Sequence, residues 1–483
     1  MIESYLLKHV SGYIDGQWVG ADSDDTVDVV NPANGKTLAQ IPKMGKAETR
    51  RAIAAANAAL AEPQDLDTRR EWLEDIRDAL LNEKEEIGRI LCLEHGKPWK
   101  EAQGEVEYAA GFFNYCANNV DVLKPQELEE KAKDCSWTVH HRPIGVVGLI
   151  TPWNFPIGMI AKKLAPAIAA GCPSVIKPAT QTPLTMIAMF HLLHGRLGLP
   201  DGFVNLVMGS TGEIGGELTA SPDVPMLSFT GSTEVGKLLI EQTKDQVKKL
   251  GLELGGNAPF IVFDDADLDH AATQLIGNKF RGAGQTCVCA NRIYVQSGVY
   301  QAFTDKVVAK VKALKVGDGM DEDIDIGPLI NKAGFEKVQN HVADALAKGA
   351  KLVAGKQPDE LDADKNLFYT PTVLTGVTHD MACCKEETFG PLVPMIEFEH
   401  DNEAIELGNT TEFGLASYVF TQNDKRAEKT IRGLHFGHCG WNTGTGPAPH
   451  APFGGMKQSG VGREGGDDGI MEFIETQTVP RGK

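Results

Sequence analysis

No Cys-x-x-Cys pair occurs in the 483-residue sequence, and no histidine stands at zinc-finger spacing from a cysteine. Neither a structural zinc site nor any other metal is therefore expected. The nine cysteines are odd in number and widely spread, which argues against the disulfide framework of a small secreted protein. Basic clusters are missing too. With 47 Lys and Arg against 66 Asp and Glu, the formal net charge is −19. Such a field repels nucleic acid and anionic membrane surfaces, so neither is expected as a partner. A small anionic ligand remains compatible with it where a local Arg or Lys receives the charge. There is no low-complexity tract and no repeat at a fixed period. The start, Met1 to Val10, is too short and polar for the apolar core of a signal peptide, so a cytoplasmic protein is expected. Pro143 to Ala161 lacks charge for 19 residues, long enough to span a bilayer. Pro143, Pro152, Pro156, three glycines and Asn154 make it read instead as a buried strand, a turn and the start of a helix.

What is present is globular. Hydrophobic residues make up 42% and charged residues 23%. The length exceeds what one core serves, so two or more domains are expected. Lys46–Leu60 and Glu71–His95 have apolar residues at helical spacing. From Ser174 short apolar runs alternate with helix-like segments such as Thr182–Leu197 and Glu234–Lys244. A second such series begins at Pro259, with helices over Tyr300–Leu314 and Gly334–Lys348. This is the rhythm of α/β domains with mostly parallel sheets, joined near Leu250–Pro259. Gly444–Gly466 is rich in Gly and Pro and reads as a long ordered loop.

Several short motifs could carry chemistry, and each also has a plain structural reading. In FTGSTEVGKL (Phe229–Leu238) a strand meets a helix start at Gly231 and Ser232, where free N–H groups suit an anion. Gly231–Lys237 also fits most of a phosphate-binding P-loop, but Leu238 stands where magnesium requires Ser or Thr, which disfavours a nucleotide hydrolase. In VIKPATQTP (Val175–Pro183) Lys177 ends a strand, where an open α/β sheet places its ligand crevice. In LELGGNAPF (Leu252–Phe260) Glu253 lies in an apolar, Gly-rich run. Desolvation there would raise its pKa and suit a general base. In GQTCVCANR (Gly284–Arg292) Cys287 at a helix N-terminus would be an activated thiol; otherwise it is an inert buried cysteine. Asn154 in TPWNFP (Thr151–Pro156) is either a turn residue or a donor to an oxyanion. In KEETFGPLVP (Lys385–Pro394) Glu387 could accept from ribose hydroxyls and Phe389 could pack on a flat ring.

Taken in order, PWNFP, IKPATQTP, FTGSTEVG, LELGGN, GQTC, EETFGP and PFGGMKQSGVGRE resemble the aldehyde dehydrogenase superfamily over essentially the whole chain. The resemblance implies an α/β fold with three parts. A modified Rossmann cofactor domain would cover 1–123 and 144–254, and a catalytic domain 255–455. A small β oligomerisation extension would come from 124–143 and 456–483. It also implies a homodimer or homotetramer. By the same resemblance Cys287 is the nucleophile, Asn154 and the Cys287 N–H form the oxyanion hole, and Glu253 activates water. Trp153, Lys177, Gly231, Ser232, Glu387 and Phe389 match cofactor positions, and Leu254 meets the nicotinamide through its backbone. Relatives devoted to NAD often carry Glu where this chain has Thr180. Lacking that charge, and with Lys177 nearby, the chain is expected to accept NADP as well as NAD.

The segments FRGAGQTCVCANR and KPATQTP look most like the succinate-semialdehyde dehydrogenase branch, in which two arginines and a serine hold a substrate carboxylate. Arg281 matches the first arginine. The second appears as Lys162, and Pro447 and Ala448 stand near the expected serine. Glutarate semialdehyde, or another short aldehyde with a carboxylate or sulfonate tail, is therefore a rival to succinate semialdehyde. Cys289 has two readings: a small residue packed beside the site, or a redox guard, since some relatives close a Cys-Val-Cys disulfide. Two residues apart in an extended segment, the pair would sit near the long end of disulfide geometry.

Overall fold

Two open sheets organise the chain, and the ends of their strands build the site. The structure, a computed structural model, describes residues 2–128, 134–194 and 198–482. The end of the expected helix Thr182–Leu197 and residues 129–133 of the expected extension lie outside the described residues. In the first sheet the strands Val204–Leu206, Ser174–Lys177, Val147–Ile150, Met226–Thr230 and Lys249–Glu253 run parallel. Gly12–Ile14 and Gly460–Val461 add antiparallel strands on either side. The parallel strands are nearly continuous runs of buried residues, as expected when helices cover both faces. The second sheet holds Thr372–Thr375, Leu392–Phe398, Ala290–Gln296, Ala258–Val262, Ala416–Phe420 and His438–Trp441 in parallel, with Lys351–Ala354 antiparallel at one edge. Each sheet has its own hydrophobic core. The chain passes from one to the other through Leu254–Asn257.

A third, small sheet pairs Cys135–Pro143 with Ile474–Gly482 and with Gln126–Glu127, all antiparallel. Only the last part of 456–483 lies there. Met456–Lys457 pairs with Phe413–Gly414, Gly460–Val461 joins the first sheet, and Gly466–Met471 is a helix packed on the helix Pro156–Ala170.

Periodicity locates most helices. Lys46–Leu60 is one helix, while the Glu71–His95 pattern is carried by two, Leu66–Asn82 and Lys84–His95, because Glu83 leaves helical geometry. The uncharged stretch resolves into the strand Val147–Ile150, a turn, and the helix Pro156–Ala170. Pro156 opens that helix, Gly171 ends it in a left-handed conformation, and every residue in it is buried. Among the described residues no helix is long and apolar enough to cross a membrane, and no cluster of His, Cys, Asp and Glu could hold a metal ion.

Candidate active site

Four parallel strands of the first sheet end at one edge. Ile150 lies beside Lys177 and Phe229, and Thr230 lies beside Glu253. The segments that follow these ends carry Asn154, Lys177, Gly231, Ser232 and Glu253, so the topology gathers residues far apart in sequence at one crevice. The second sheet faces that edge with the opposite ends of its strands. Cys287 stands just before the strand Ala290–Gln296, beside the connecting loop. Gly256 makes this approach possible, since a Cβ there would lie 2.3 Å from the Cys287 carbonyl oxygen.

The segment before Cys287 is held in an unusual shape. Gly282, Ala283 and Gly284 all have left-handed φ angles of 56°, 58° and 75°. For Ala283 such a conformation costs on the order of 1–3 kcal/mol and persists only where the surroundings enforce it. The cysteines do not lie in an extended segment. The Cys289 N–H donates to the Thr286 carbonyl at 3.2 Å, so Cys287 and Val288 occupy the centre of a tight turn. No helix begins at Cys287, which removes the expected helix-terminus activation of its thiol. Burial, together with the nearby Glu387 and Glu253 charges, instead pushes the thiol up to about 12, with Lys162 pulling the other way.

Two cavities meet at this sulfur. One, of about 360 Å³, is walled by Phe155, Met159, Lys162, Arg281, Phe453 and Cys287, among others. The other, of about 260 Å³, is a groove along the strand ends that includes Trp153, Asn154, Gly231, Ser232, Leu254, Glu387 and Phe389, and it too reaches Cys287. The buried Asn154 donates from Nδ2 to the Gln285 carbonyl at 2.9 Å, and its Oδ1 has no hydrogen-bond partner among the described residues.

Glu253 is buried with neither carboxylate oxygen hydrogen-bonded among the described residues. Burial, and then the Glu464 charge, hold its carboxyl well above the usual range against the pull of Lys162, Lys163 and Arg463. Burial would likewise raise Glu464, but Lys163 and Lys162 bring it down to about 2. Lys163 Nζ lies 2.5 Å and Lys162 Nζ 3.1 Å from its oxygens.

That network alters the place of Lys162. Its ammonium lines the first cavity 4.8 Å from the Phe453 ring centre but is committed to Glu464. Arg281 is exposed at the cavity rim, 5.1 Å from the Phe155 ring centre, with no carboxylate within ion-pair distance among the described residues. Pro447, from the loop where a serine was expected, also lines the cavity.

Polar and aromatic groups in and near the groove have the chemistry to hold a nucleotide. Lys177 is buried, and among the described residues its ammonium has only the carbonyl of its neighbour Pro178 as a partner, at 3.1 Å. Burial lowers it to about 8, leaving a cation that an incoming phosphate or hydroxyl would satisfy. Thr180 Oγ1 lies 3.5 Å from the Gly209 carbonyl. Ser232 caps the helix Thr233–Thr243 by accepting from the Val235 N–H. Glu387 accepts from the Gly256 N–H at 3.1 Å, and burial raises it to about 7. Phe389 has a left-handed φ of 54° and meets Trp153 edge to face at 5.5 Å. Leu254 donates its N–H to the Ser459 carbonyl at 2.8 Å.

Cys289 faces elsewhere. It is buried, and its sulfur lies 3.4 Å from the Gly284 carbonyl oxygen and 3.5 Å from the buried Lys279 ammonium. Both cysteines are free thiols. Sequence reasoning missed Lys337, which faces the groove, and Glu464, Lys97 and Glu105, which lie beside the sulfur-bearing cavity or in its wall. GVGRE pointed towards Glu464, but nothing marked Lys97 or Glu105 as more than solvated charges.

Known proteins share this architecture. An oxidoreductase from Marinobacter aquaeolei superimposes with a TM-score of 0.98 at 63% identity, covering all of both chains. The glutarate-semialdehyde dehydrogenase of Pseudomonas putida is 46% identical, covering 96% of each chain. The succinate-semialdehyde dehydrogenase [NADP(+)] GabD of Escherichia coli is also 46% identical, covering 96% of this chain and 95% of its own. The model of the aldehyde dehydrogenase family matches residues 18–479, and the chain belongs to that family.

Proposed function

We propose that the protein oxidises a short aldehyde with an anionic tail to the acid, with NADP or NAD as acceptor, through a covalent intermediate on Cys287. Succinate semialdehyde is the first candidate, and glutarate semialdehyde or a sulfonated short aldehyde is the rival. The observation that carries this reading is that Cys287 alone, among the residues discussed, belongs to both the apolar cavity and the dinucleotide groove.

The sulfur attacks the aldehyde carbon, and its proton leaves to solvent. The resulting oxyanion receives hydrogen bonds from the Asn154 amide and the Cys287 N–H; losing one such donor typically costs about 3 kcal/mol in the barrier. The bound nicotinamide supplies the hydride acceptor that turns the thiohemiacetal into a thioester. Glu253 then takes a proton from the water that hydrolyses this thioester, and the acid leaves. The Lys177 ammonium and the Glu387 carboxylate hold the cofactor, and Gly231 and Ser232 open the helix start to its phosphates.

Arg281 receives the tail. Arg281→Ala should raise KM for succinate and glutarate semialdehydes on the order of 10–100-fold, the weight of a charged hydrogen bond, and leave neutral aldehydes of matched length within about twofold. Equal effects on both would mean that Arg281 is structural. Lys177 sets a second expectation. Its ammonium is protonated below about pH 8 and is lost above it. The ratio of kcat/KM with NADP to kcat/KM with NAD should therefore fall as pH rises through that value, by up to about tenfold per unit. Parallel curves for the two cofactors from pH 7 to 9.5 would contradict an Lys177–phosphate contact.

A second copy of this chain suits the remaining surfaces. The helix Thr233–Thr243 exposes Val235, Leu238 and Ile240. The sheet of Cys135–Pro143 and Ile474–Gly482 leaves strand edges that another chain could extend. A homodimer or homotetramer follows from this reading, and light scattering tests it.

A further inference from the structure

The loop that carries Asn154 lies outside both sheet and helix. Among the described residues, the carbonyls of Trp153 and Asn154 and the Asn154 side-chain amide are bonded only to side chains or to the backbone of a distant segment. Thr182 Oγ1 donates to the Trp153 carbonyl at 3.2 Å, and the Asn154 amide reaches Gln285. The Asn154 carbonyl accepts from Lys97 Nζ at 2.9 Å. Lys97 is also paired with Glu105 at 2.5 Å, and both side chains are 1% exposed. The other Glu105 oxygen accepts from the N–H groups of Ile157 and Gly158, at 3.0 and 3.1 Å. Those are among the first amides of the helix Pro156–Ala170, whose preceding residue, Phe155, supplies no side-chain cap. One buried ion pair thus ties both sides of the Asn154–Phe155 peptide to the start of the helix Trp99–Asn119.

We infer that Lys97 and Glu105 are positioning residues for the Asn154 amide, which they hold in the groove that Cys287 also lines. The inference rests on the proposed function. Both residues line the aldehyde cavity, so recognition of the substrate tail is the competing role. The geometry leaves little for that role. The Lys97 ammonium is spent on Glu105 and the Asn154 carbonyl, and sits 4.1 Å from the centre of the Phe155 ring. The Glu105 carboxylate is spent on Lys97 and two helix N–H groups, where a negative charge also complements the helix dipole. A buried pair is weak evidence for stability, since its desolvation offsets much of its attraction. A displacement of about 1 Å at a catalytic donor, however, costs on the order of 10²-fold in rate.

Steady-state kinetics with succinate semialdehyde and NADP test this in Lys97→Met, Asn154→Ala and the double variant. Lys97→Met should lower kcat about 10–100-fold and leave the aldehyde KM within about threefold. In the Asn154→Ala background the same change should cost less than about threefold, because the amide it positions is gone. A rise in KM with kcat preserved would overturn the inference in favour of tail binding. Losses that multiply in the double variant would overturn it in favour of a general structural role. Should Lys97→Met fail to fold, Glu105→Gln, which keeps an acceptor for the helix amides, decides by the same comparison across the two backgrounds. Wild-type protein that oxidises no aldehyde would sink the proposed function itself, whereas active wild type with unaffected variants sinks only this inference.

Discussion

Replacing Cys287 with alanine should abolish aldehyde-dependent reduction of NAD or NADP, by about 10⁴-fold or more, the scale on which covalent catalysis depends on its nucleophile. Cofactor affinity should stay within about twofold, because the groove is built mainly by Trp153, Gly231, Ser232, Leu254 and Glu387. Cys287 sits where the cavity walled by Phe155 and Arg281 opens into the groove lined by Trp153 and Leu254. Burial and the Glu387 and Glu253 charges push its pKa up to about 12, so the thiol carries its proton at neutral pH. The resting enzyme therefore holds a dormant sulfur, which must shed its proton as the aldehyde arrives. Absorbance of the reduced nicotinamide measures the loss, and cofactor binding followed by fluorescence checks that the groove is intact. A residual rate within about 100-fold of wild type would mean that another group attacks the aldehyde.

Glu253→Gln should separate the two halves of the reaction. Its kcat should fall on the order of 10²–10⁴-fold, the range of a lost general base. A burst of reduced cofactor near one equivalent per site should precede the slow phase, with a thioester accumulating on Cys287 that intact-protein mass spectrometry detects. Burial and Glu464 raise the Glu253 pKa, so below it the carboxyl is protonated and cannot act as a base. Wild-type kcat should therefore rise with pH, by up to about tenfold per unit, until the group has ionised, and Glu253→Gln should lose that slope. A variant with no burst and a parallel pH profile would assign the base elsewhere. The surrounding charges make the assignment specific. Glu464 is kept ionised by Lys162 and Lys163, whereas Glu253, with neither oxygen hydrogen-bonded among the described residues, is the carboxyl left to take a proton from water.

The residues proposed to act stand out in the sequence because each sits in a short segment with its own constraint. Pro152 and Pro156 bracket Asn154, Gly255 and Gly256 follow Glu253, and Gly282 and Gly284 precede Cys287. The parallel sheets were legible from the alternation of apolar runs and helices, because strands buried on both faces need little polar punctuation. Other features depended on pairings across the chain. Lys162 reads as a free cation until Glu464, some 300 residues later, is folded against it. Lys97 and Glu105 read as solvated charges because their partners are backbone groups of another segment. The turn at Thr286–Cys289 and the burial of the thiol were hidden for the same reason: a lowered pKa was expected from a helix that does not begin there. Within 456–483 the pairing of Met456–Lys457 and Gly460–Val461 with other sheets was not legible, because two-residue strands are too short to leave a periodic pattern.

At the centre of this account, Cys287 attacks aldehydes whose anionic tail is received at Arg281, and NAD or NADP oxidises the adduct. The most direct measurement is kcat/KM, from reduced-nicotinamide absorbance, for succinate, glutarate and sulfonated semialdehydes beside neutral aldehydes of equal length. At least one anionic aldehyde should exceed its neutral counterpart by about tenfold or more, and that advantage should vanish in Arg281→Ala. Equal turnover of anionic and neutral aldehydes by the wild-type enzyme, or an advantage that survives the loss of Arg281, would contradict it.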